Sequence, residues 1–291
     1  MVDDAAIFPP GDAPLPEAVA AHRIHRSSTH AALVGSFVIS DVRLPELIEI
    51  VRADPGDPMP VSVVVTGGAG AIEPAVRWAT GADALDLSSV EFALRDEEDL
   101  AHNARRVTTA LDQMTSSGLL GDAVGVYVEP PRLYGRPPTA GWLDALDEIA
   151  AADLRLKFRT GGVSADLFPD ATEVAMCIDA ALDRELPFKC TAGLHNAVRH
   201  RDRDSGFEHH GFLNVLLATR VSLDGAPAGY VASLLDETDA STLVDRWDDV
   251  GKDGLVSARR WFTSFGSCSV LEPLEDLIDL DLLPGLTLES T

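Results

Sequence analysis

The alternation of short apolar runs with amphipathic segments predicts one (β/α)8 barrel of the TIM type. Eight runs have the length of strands, and segments of helical periodicity follow them along the 291 residues. These runs are nearly continuously apolar, as parallel strands buried on both faces should be. The alternative is an open doubly wound sheet. Its glycine-rich turn would follow the first strand, whereas the turn at Gly67 and Gly68 comes after the third.

The predicted strands are short apolar runs stopped by glycine, proline or polar residues. They are Val2–Phe8, Ala32–Ile39, Val61–Thr66, Leu87–Leu94, Ala123–Glu129, Leu154–Arg159, Pro187–Ala192 and Trp261–Ser269.

The predicted helices have apolar residues three and four positions apart. They are Leu15–Arg26, Arg43–Arg52, Ile72–Thr80, Glu97–Ser117, Ala140–Ala152, Ala171–Leu186, Phe212–Ser222, Ala226–Asp236, Ser241–Asp248 and Glu272–Leu280. Three of them fall between strands seven and eight. We therefore expect extra helices inserted there, over residues 196–258, in a single domain of residues 1–291.

The composition excludes several classes of partner. The formal net charge is −24, and the acidic residues are spread along the chain rather than gathered in one tail. Such a surface repels nucleic acid and anionic lipid. No apolar run has the length of a membrane span. The sequence leaves the oligomeric state open, a homo-oligomer included.

The cysteine pattern and the N-terminus indicate a cytoplasmic protein. Cys177, Cys190 and Cys268 are odd in number and lack metal or redox spacing, so we expect free thiols in a reducing compartment. The first residues have neither the basic region nor the apolar region of a secretory signal. Cys268 has no histidine near it in sequence, which predicts a structural role.

Lysine is almost absent, and its positions are informative. Three of the 23 basic Lys and Arg residues are lysine, and two of these, Lys157 and Lys189, lie in apolar strands near their C-terminal ends. Side-chain alternation places Arg155, Lys157 and Arg159 on one face of strand six, and places Lys189 and Thr191 on one face of strand seven. We expect these faces to point into the barrel, at the end where barrel active sites lie.

Two ammonium groups on adjacent strands should interact strongly. Neighbouring strands are roughly 5 Å apart, so both charges would lie close together in a partly desolvated site. We then expect one lysine to lose its proton more easily, and a neutral amine is the form that condenses with a carbonyl group. The alternative is a structural role, in which inward carboxylates hold both charges.

The segment from Lys157 through Thr160, Gly161 and Gly162, followed by a helix and Phe188 to Gly193, resembles class I aldolase barrels of the deoxyribose-phosphate aldolase kind. In that family a Lys-Thr-x-Thr-Gly motif ends strand six and carries the Schiff-base lysine.

A second lysine of the family ends strand seven and lowers the pKa of the first. The resemblance implies that Lys157 is the nucleophile and Lys189 its tuner. It covers residues 154–193 only. Phe158 replaces the first threonine, and the second motif lacks a Gly-Gly pair.

Carboxylates are available to hold or move protons around the lysines. Glu129 ends strand five before two prolines, and Glu91 lies on strand four with Ser89 on the same face. Asp3 and Asp4 lie at the first strand, and we take Asp4 as a substrate-binding candidate.

Four of the eight histidines lie between residues 195 and 210, after strand seven. His195 follows the strand directly and is the best acid or base candidate. His210 and Asn214 share a helical face, where they either bind substrate or fix the helix. Arg199, Arg201 and Arg203 in the same segment predict an anionic substrate group, a carboxylate or a phosphate. A metal site on these histidines has no supporting spacing.

Two turns are candidates for holding that anionic group on backbone amides. One is Thr160 to Gly162 after strand six, with Arg159 beside it. The other is the Gly- and Ser-rich segment Ser264 to Ser269, which contains Ser267.

Three functions fit this pattern. The first is an aldolase-type lyase, in which Lys157 forms a Schiff base with a small, anionic carbonyl compound. The second is an acid/base or metal-assisted isomerase or lyase, in which both lysines stabilise an enolate or carboxylate without a covalent bond. The third is a barrel that binds a small ligand without turnover. No nucleotide, flavin or nicotinamide motif is present, so we expect no organic cofactor.

Overall fold

The computed structural model shows a closed barrel of eight parallel strands, as the sequence predicts. It describes residues 1–95, 98–203 and 205–284. The barrel strands are β1 (Val2–Asp4), β2 (Val34–Ser40), β3 (Met59–Val65), β4 (Leu85–Ala93), β5 (Gly125–Glu129), β6 (Arg155–Arg159), β7 (Phe188–Thr191) and β10 (Phe262–Ser267). Parallel pairing of β1 with both β2 and β10 closes the barrel.

Ten helices accompany the strands in the described part of the chain. They are α1 (Leu15–Arg26), α2 (Leu44–Ala53), α3 (Ile72–Thr80), α4 (Leu100–Ser116), α5 (Ala140–Ala151), α6 (Ala171–Leu182), α7 (Phe212–Leu223), α8 (Ala228–Leu235), α9 (Ala240–Ala258) and α10 (Leu271–Asp279). The predicted first residue of α4, Glu97, lies outside the described residues. Short 3-10 turns occupy Ala31–Leu33, Asp41–Arg43, Ala69–Ala71 and Ala165–Leu167.

The region between β7 and β10 differs from the prediction in its first part. A two-stranded antiparallel hairpin of β8 (His200–Arg201) and β9 (Glu208–His209) precedes the helices. Helices α7, α8 and α9 follow, where a regular barrel has one helix. The last helix is longer than predicted, because it continues to Ala258 through a kink at Gly251, whose φ is 64°.

Apolar packing lies mainly between the strands and the helices. In α3, the buried residues Ile72, Ala75, Val76 and Ala79 form the stripe that contacts the sheet. In β6, Leu156 and Phe158 are buried on the helix-facing side. Several helices begin at side-chain caps, such as Asp170, which accepts a hydrogen bond from the Glu173 amide at 2.7 Å. Because the apolar side chains pack toward the helices, polar side chains can lie on the inner side of the barrel.

The first strand is shorter than predicted. It ends at Asp4, because residues 5–8 form a turn in which the Phe8 amide donates to the Ala5 carbonyl at 2.9 Å. No helix in the described ranges is long and apolar enough to cross a membrane.

Candidate functional site

The two strand lysines are direct neighbours inside the barrel. Lys157 in β6 pairs in register with Lys189 in β7. Both side chains are buried, with Lys157 3% and Lys189 1% exposed. The sequence-based prediction that the two lysines lie on one inner face is confirmed.

Carboxylates alternate with these cations. Lys189 Nζ lies 2.6 Å from Asp3 Oδ2 and 2.6 Å from Glu91 Oε1. Lys157 Nζ lies 3.2 Å from Glu91 Oε2 and 3.0 Å from Glu129 Oε2. Arg159 Nε donates to Glu129 Oε1 at 2.9 Å. We call these six residues the ion-pair chain; in it, Glu91 is shared between the two lysines.

Hydroxyl groups from other strands hold the carboxylates in place. Ser62 Oγ donates to Glu91 Oε1 at 2.6 Å, and Ser264 Oγ donates to Asp3 Oδ2 at 2.7 Å. The Ser36 amide donates to Asp3 Oδ1 at 3.1 Å. These hydrogen bonds satisfy carboxylate oxygens that burial would otherwise leave unpaired.

The charges fix one another's ionisation. Burial alone would raise the pKa of Glu91, but the Lys189 and Lys157 ammonium groups outweigh it and hold that pKa far below its usual range. Burial alone would lower the pKa of Lys189, but Asp3 and Glu91 raise it well above its usual value. Lys189 therefore stays charged, and the expectation that one lysine of the pair titrates low stays a prediction.

Glu129 follows the same physics. Burial favours its neutral form, yet the charges of Lys157 and Arg159 keep the pKa of this carboxyl below its ordinary value. The inner site thus holds ionised carboxylates next to both lysines.

A cavity of about 220 Å³ opens onto this network, and we call it the inner cavity. Its polar lining includes Lys157, Lys189, Glu91, Arg159 and Thr191. Apolar side chains such as Phe8, Val38, Val64 and Leu167 complete it. A small ligand in this space would contact the end of Lys157 in surroundings with little water.

His195 lies at the cavity beside a cysteine and a carboxylate. His195 Nδ1 is 3.2 Å from Glu272 Oε2 and 3.5 Å from Cys268 Sγ. Burial lowers the pKa of His195, but hydrogen bonds to Cys268 and Glu272 outweigh burial and raise it to about 9. The imidazole is therefore largely protonated at neutral pH and has a proton to give.

The structural role predicted for Cys268 is incomplete, because this cysteine does have a histidine partner. His195 and Cys268 are 73 positions apart in the sequence. The pairing of β10 with β7 brings the two residues together. Their contact therefore depends on the tertiary fold and cannot be seen in the local sequence.

A second chamber of about 500 Å³ adjoins the inner cavity, and we call it the outer chamber. The two spaces share Pro9, Gly162, Val163, Ala192, His195 and Cys268. The β8–β9 hairpin contributes His200 and His209 to the wall. Together the spaces form one cleft at the C-terminal ends of the strands.

Several predicted substrate-binding residues lie outside this cleft. Asp4 points away from the barrel interior, where its Oδ2 is 3.0 Å from the buried His22 Nδ1. Side-chain alternation along β1 turns Asp3 inward and Asp4 outward, so the choice of Asp4 was wrong by one position. Thr160 is fully buried, and its hydroxyl donates to the Ala192 carbonyl at 2.6 Å.

His210 and Asn214 have structural partners. His210 Nε2 lies 2.8 Å from the Pro169 carbonyl, and burial lowers the pKa of His210 to about 4. Asn214 accepts from the Arg199 amide at 2.9 Å and donates to two carbonyl groups of the α8 region. Of the two roles that the sequence left open, both residues have the second one, because they fix α7.

Of the predicted turn residues, some line the cleft and others pack inside the barrel end. Gly162 lines both spaces, whereas Gly161 packs so tightly that a Cβ there would lie 2.9 Å from Gly193 Cα. Ser267 is 1% exposed, and its hydroxyl accepts from the Ser269 amide at 3.2 Å. Gly161 and Ser267 thus serve the packing of the barrel end, and the Ser267 hydroxyl also lies 3.3 Å from His195 Nδ1.

Among the described residues, no group of three or more His, Cys, Asp or Glu side chains is arranged to hold a metal ion. No protein-family model and no curated protein sequence matches the chain.

Proposed function

We propose that the chain is a lyase of aldolase type that forms a Schiff base between Lys157 and a small carbonyl compound. The observation that carries this proposal is the placement of Lys157. Its amine lines a small cavity of about 220 Å³, between two carboxylates and beside a second lysine. A nucleophilic lysine needs a neighbouring base and a desolvated pocket, and this pocket supplies both.

The first step requires a neutral amine. Glu129 contacts the Lys157 ammonium at 3.0 Å and can take its proton when a substrate enters, whereas the pKa of Glu91 lies too far below its usual range for that role. The amine then adds to the carbonyl carbon and forms a carbinolamine. Loss of the hydroxyl group with one proton, as water, leaves a protonated imine.

Lys189 keeps its charge throughout. Asp3 and Glu91 raise its pKa, so it remains a cation next to the forming imine. A fixed positive charge at this point stabilises an oxyanion during addition.

Bond cleavage needs proton transfers on the substrate. A base removes the proton of the substrate hydroxyl, the electron pair of the breaking C–C bond moves into the imine, and an enamine results. A proton then returns to carbon, and water releases the product from Lys157. Glu129 is suited to the base role, and His195, with its pKa of about 9, is suited to the acid role.

A second function is favoured by one observation. Lys157 has two carboxylate partners, and this arrangement also suits an ammonium group that acts by its charge alone. In this alternative, Lys157 and Lys189 stabilise an enolate or carboxylate by charge alone, and Glu129 moves the proton. The reaction would be an isomerisation or elimination without a covalent intermediate.

Reductive trapping tests the proposal directly. The protein is incubated with a pool of small aldehydes, ketones and keto acids, and borohydride then reduces any imine to a stable amine. We expect a mass increase that peptide mapping places on Lys157. The mapping has to separate Lys157 from the other two lysines and from the Met1 amine, whose pKa burial lowers to about 6.

The variants separate the alternatives. Lys157→Met should abolish the adduct, whereas Lys252→Met, at an exposed position on α9, should keep it. Lys157→Arg keeps the charge and removes the nucleophile, so retained turnover in that variant would establish the non-covalent reaction. Ligand binding by the folded protein with neither adduct nor turnover would leave a binding protein.

A further inference from the structure

The outer chamber has a distinct chemical character. Its described lining contains no lysine or arginine, whereas Glu272 and Asp202 contribute carboxylates. The one strong cation, His195, is paired with Glu272 at 3.2 Å. The three arginines from which the sequence predicts an anionic substrate group, at positions 199, 201 and 203, do not line the chamber.

One wall of the chamber is built from rings. The Phe168 ring centroid lies 5.1 Å from that of Phe207 and 4.8 Å from that of His209. His200 stacks on His209 at 5.3 Å. Flat ring faces pack well against the C–H groups of a carbon chain or sugar ring, whose own polarity lies at the edges.

The histidines in this wall each direct one ring nitrogen to a backbone carbonyl. His209 Nδ1 lies 3.1 Å from the Gly193 carbonyl, and His200 Nδ1 lies 3.2 Å from the Val198 carbonyl. A carbonyl oxygen only accepts, so each Nδ1 carries a proton, and in a neutral imidazole Nε2 is then an acceptor. Burial, together with the neighbouring His200 and His195, lowers the pKa of His209, which is therefore neutral at pH 7.

The helix terminus that often binds phosphate in barrels is already occupied. The Ser269 amide donates to Ser267 Oγ, and the Glu272 amide donates to Ser269 Oγ, both at 3.2 Å. The Glu272 carboxylate then lies in the first turn of α10, where an anionic ligand would have to approach. A dianionic phosphate would meet like charge and filled amides there.

We propose that the outer chamber binds the uncharged, polyhydroxylated tail of the substrate, so that the protein acts on free hydroxyaldehydes or hydroxyketones rather than on their phosphate esters. Hydroxyl groups donate to the carboxylates and imidazoles, and the carbon chain packs on the ring wall. The inner cavity of about 220 Å³ takes the carbonyl end. This assignment rests on the proposed function for the substrate's carbonyl end, but the polyol site itself can be measured without any carbonyl chemistry.

The test uses a polyol that cannot form an imine. Erythritol and erythritol 4-phosphate are titrated at pH 7.5 into protein with 13C-labelled histidine, and the side-chain resonances of His200 and His209 are followed. We expect erythritol to bind at least about tenfold more tightly than its phosphate ester, because the like charges in the chamber disfavour the ester. His200→Asn should weaken erythritol binding about threefold or more, which is the loss of roughly one hydrogen bond.

A matched histidine provides the control. His102→Asn, at an exposed position on α4, should bind erythritol as the unaltered protein does. Equal or tighter binding of the phosphate ester would overturn the inference, and so would erythritol binding that His200→Asn leaves unchanged. If erythritol binds as expected but reductive trapping gives no adduct, the Schiff-base proposal fails and the polyol site stands.

Discussion

At the scale of single residues, Glu91 is the side chain on which the inner site depends. It is 1% exposed, and each of its carboxylate oxygens contacts a different lysine. The sequence predicts that the lysines lie side by side, and from this we expected mutual repulsion. A shared carboxylate offsets that repulsion, and Lys189 keeps its charge because Asp3 and Glu91 raise its pKa.

Replacement of Glu91 by glutamine should be strongly destabilising. It leaves two buried ammonium groups with one compensating carboxylate fewer, and breaking a buried pair in this way costs about 3–5 kcal/mol. Urea unfolding at pH 7 measures the loss.

Glu46→Gln is the matched control, since Glu46 pairs with Arg43 at a half-exposed site on α2. It should change the free energy of unfolding by no more than about 1 kcal/mol. A similarly small effect of Glu91→Gln would mean that Glu91 is not the shared ionised partner of both lysines.

The sequence could predict which side chains face the barrel interior only where a strand was long enough to show a clear alternation. In β6, with five residues, alternation correctly placed Lys157 and Arg159 inside. In β1, with three residues, it could not separate Asp3 from Asp4. Contacts made by barrel closure, such as His195 with Cys268, have no periodicity and were missed.

At the scale of elements, the close approach of the loops after β6 and β7 positions the two lysines. Gly161 lies against Gly193, whose φ of +78° itself requires glycine, and the Thr160 hydroxyl bonds the Ala192 carbonyl. The small residues let the two strand ends meet without an intervening side chain. The Gly-Gly signal in the sequence was therefore informative, but mainly about packing.

Gly161→Ala should separate these strand ends. The new Cβ would lie 2.9 Å from both Gly193 Cα and Phe168 Cε1, so backbone must shift, at a cost of about 1–3 kcal/mol. We also expect less reductive adduct on Lys157, because its distance from the carboxylates changes. Thermal unfolding and trapping measure the two effects.

Gly141→Ala is the corresponding control in α5. Nothing lies within 4 Å of a Cβ at Gly141, and alanine favours helix over glycine. It should stabilise the protein by about 0.5–1 kcal/mol. Equal behaviour of the two variants would show that the approach of Gly161 to Gly193 is not tight.

The elements with regular periodicity were predicted well, and the irregular ones were not. Helices α1 and α3 have the predicted bounds, because apolar spacing and flanking prolines or glycines define them. The β8–β9 hairpin has two residues in each strand, too few to show alternation. Its position nevertheless matters, since it brings His200 and His209 to the outer chamber.

At the scale of the whole molecule, the large negative charge of the chain does not extend to the ion-pair chain inside the barrel. The ion-pair chain has three carboxylates, Asp3, Glu91 and Glu129, and three cations, Lys189, Lys157 and Arg159. The inner site is therefore balanced within a chain of net charge −24. This balance explains why two of the three lysines lie at the centre of the barrel, because their charges compensate the buried carboxylates there.

Two histidines should place the pH of greatest stability near 6.5. The pKa of His195 is raised to about 9, so its contribution is complete below 6.5 and is lost as the pH rises to 9. The pKa of His210 is lowered to about 4, so its neutral buried form contributes above 6.5 and loses that contribution as the pH falls to 4. Each change is on the order of 3 kcal/mol.

Urea unfolding between pH 4 and 9, the range that these two pKa values set, tests both flanks of the profile. His195→Asn removes the group that titrates on the alkaline side, so the variant should lose less stability above pH 6.5 than the unaltered protein, with the acid side unchanged. The Glu91 carboxylate, whose pKa is depressed, adds to the loss on the acid side once the pH falls below its ordinary range. An alkaline slope that persists in His195→Asn would show that the contacts of His195 with Glu272 and Cys268 do not govern it.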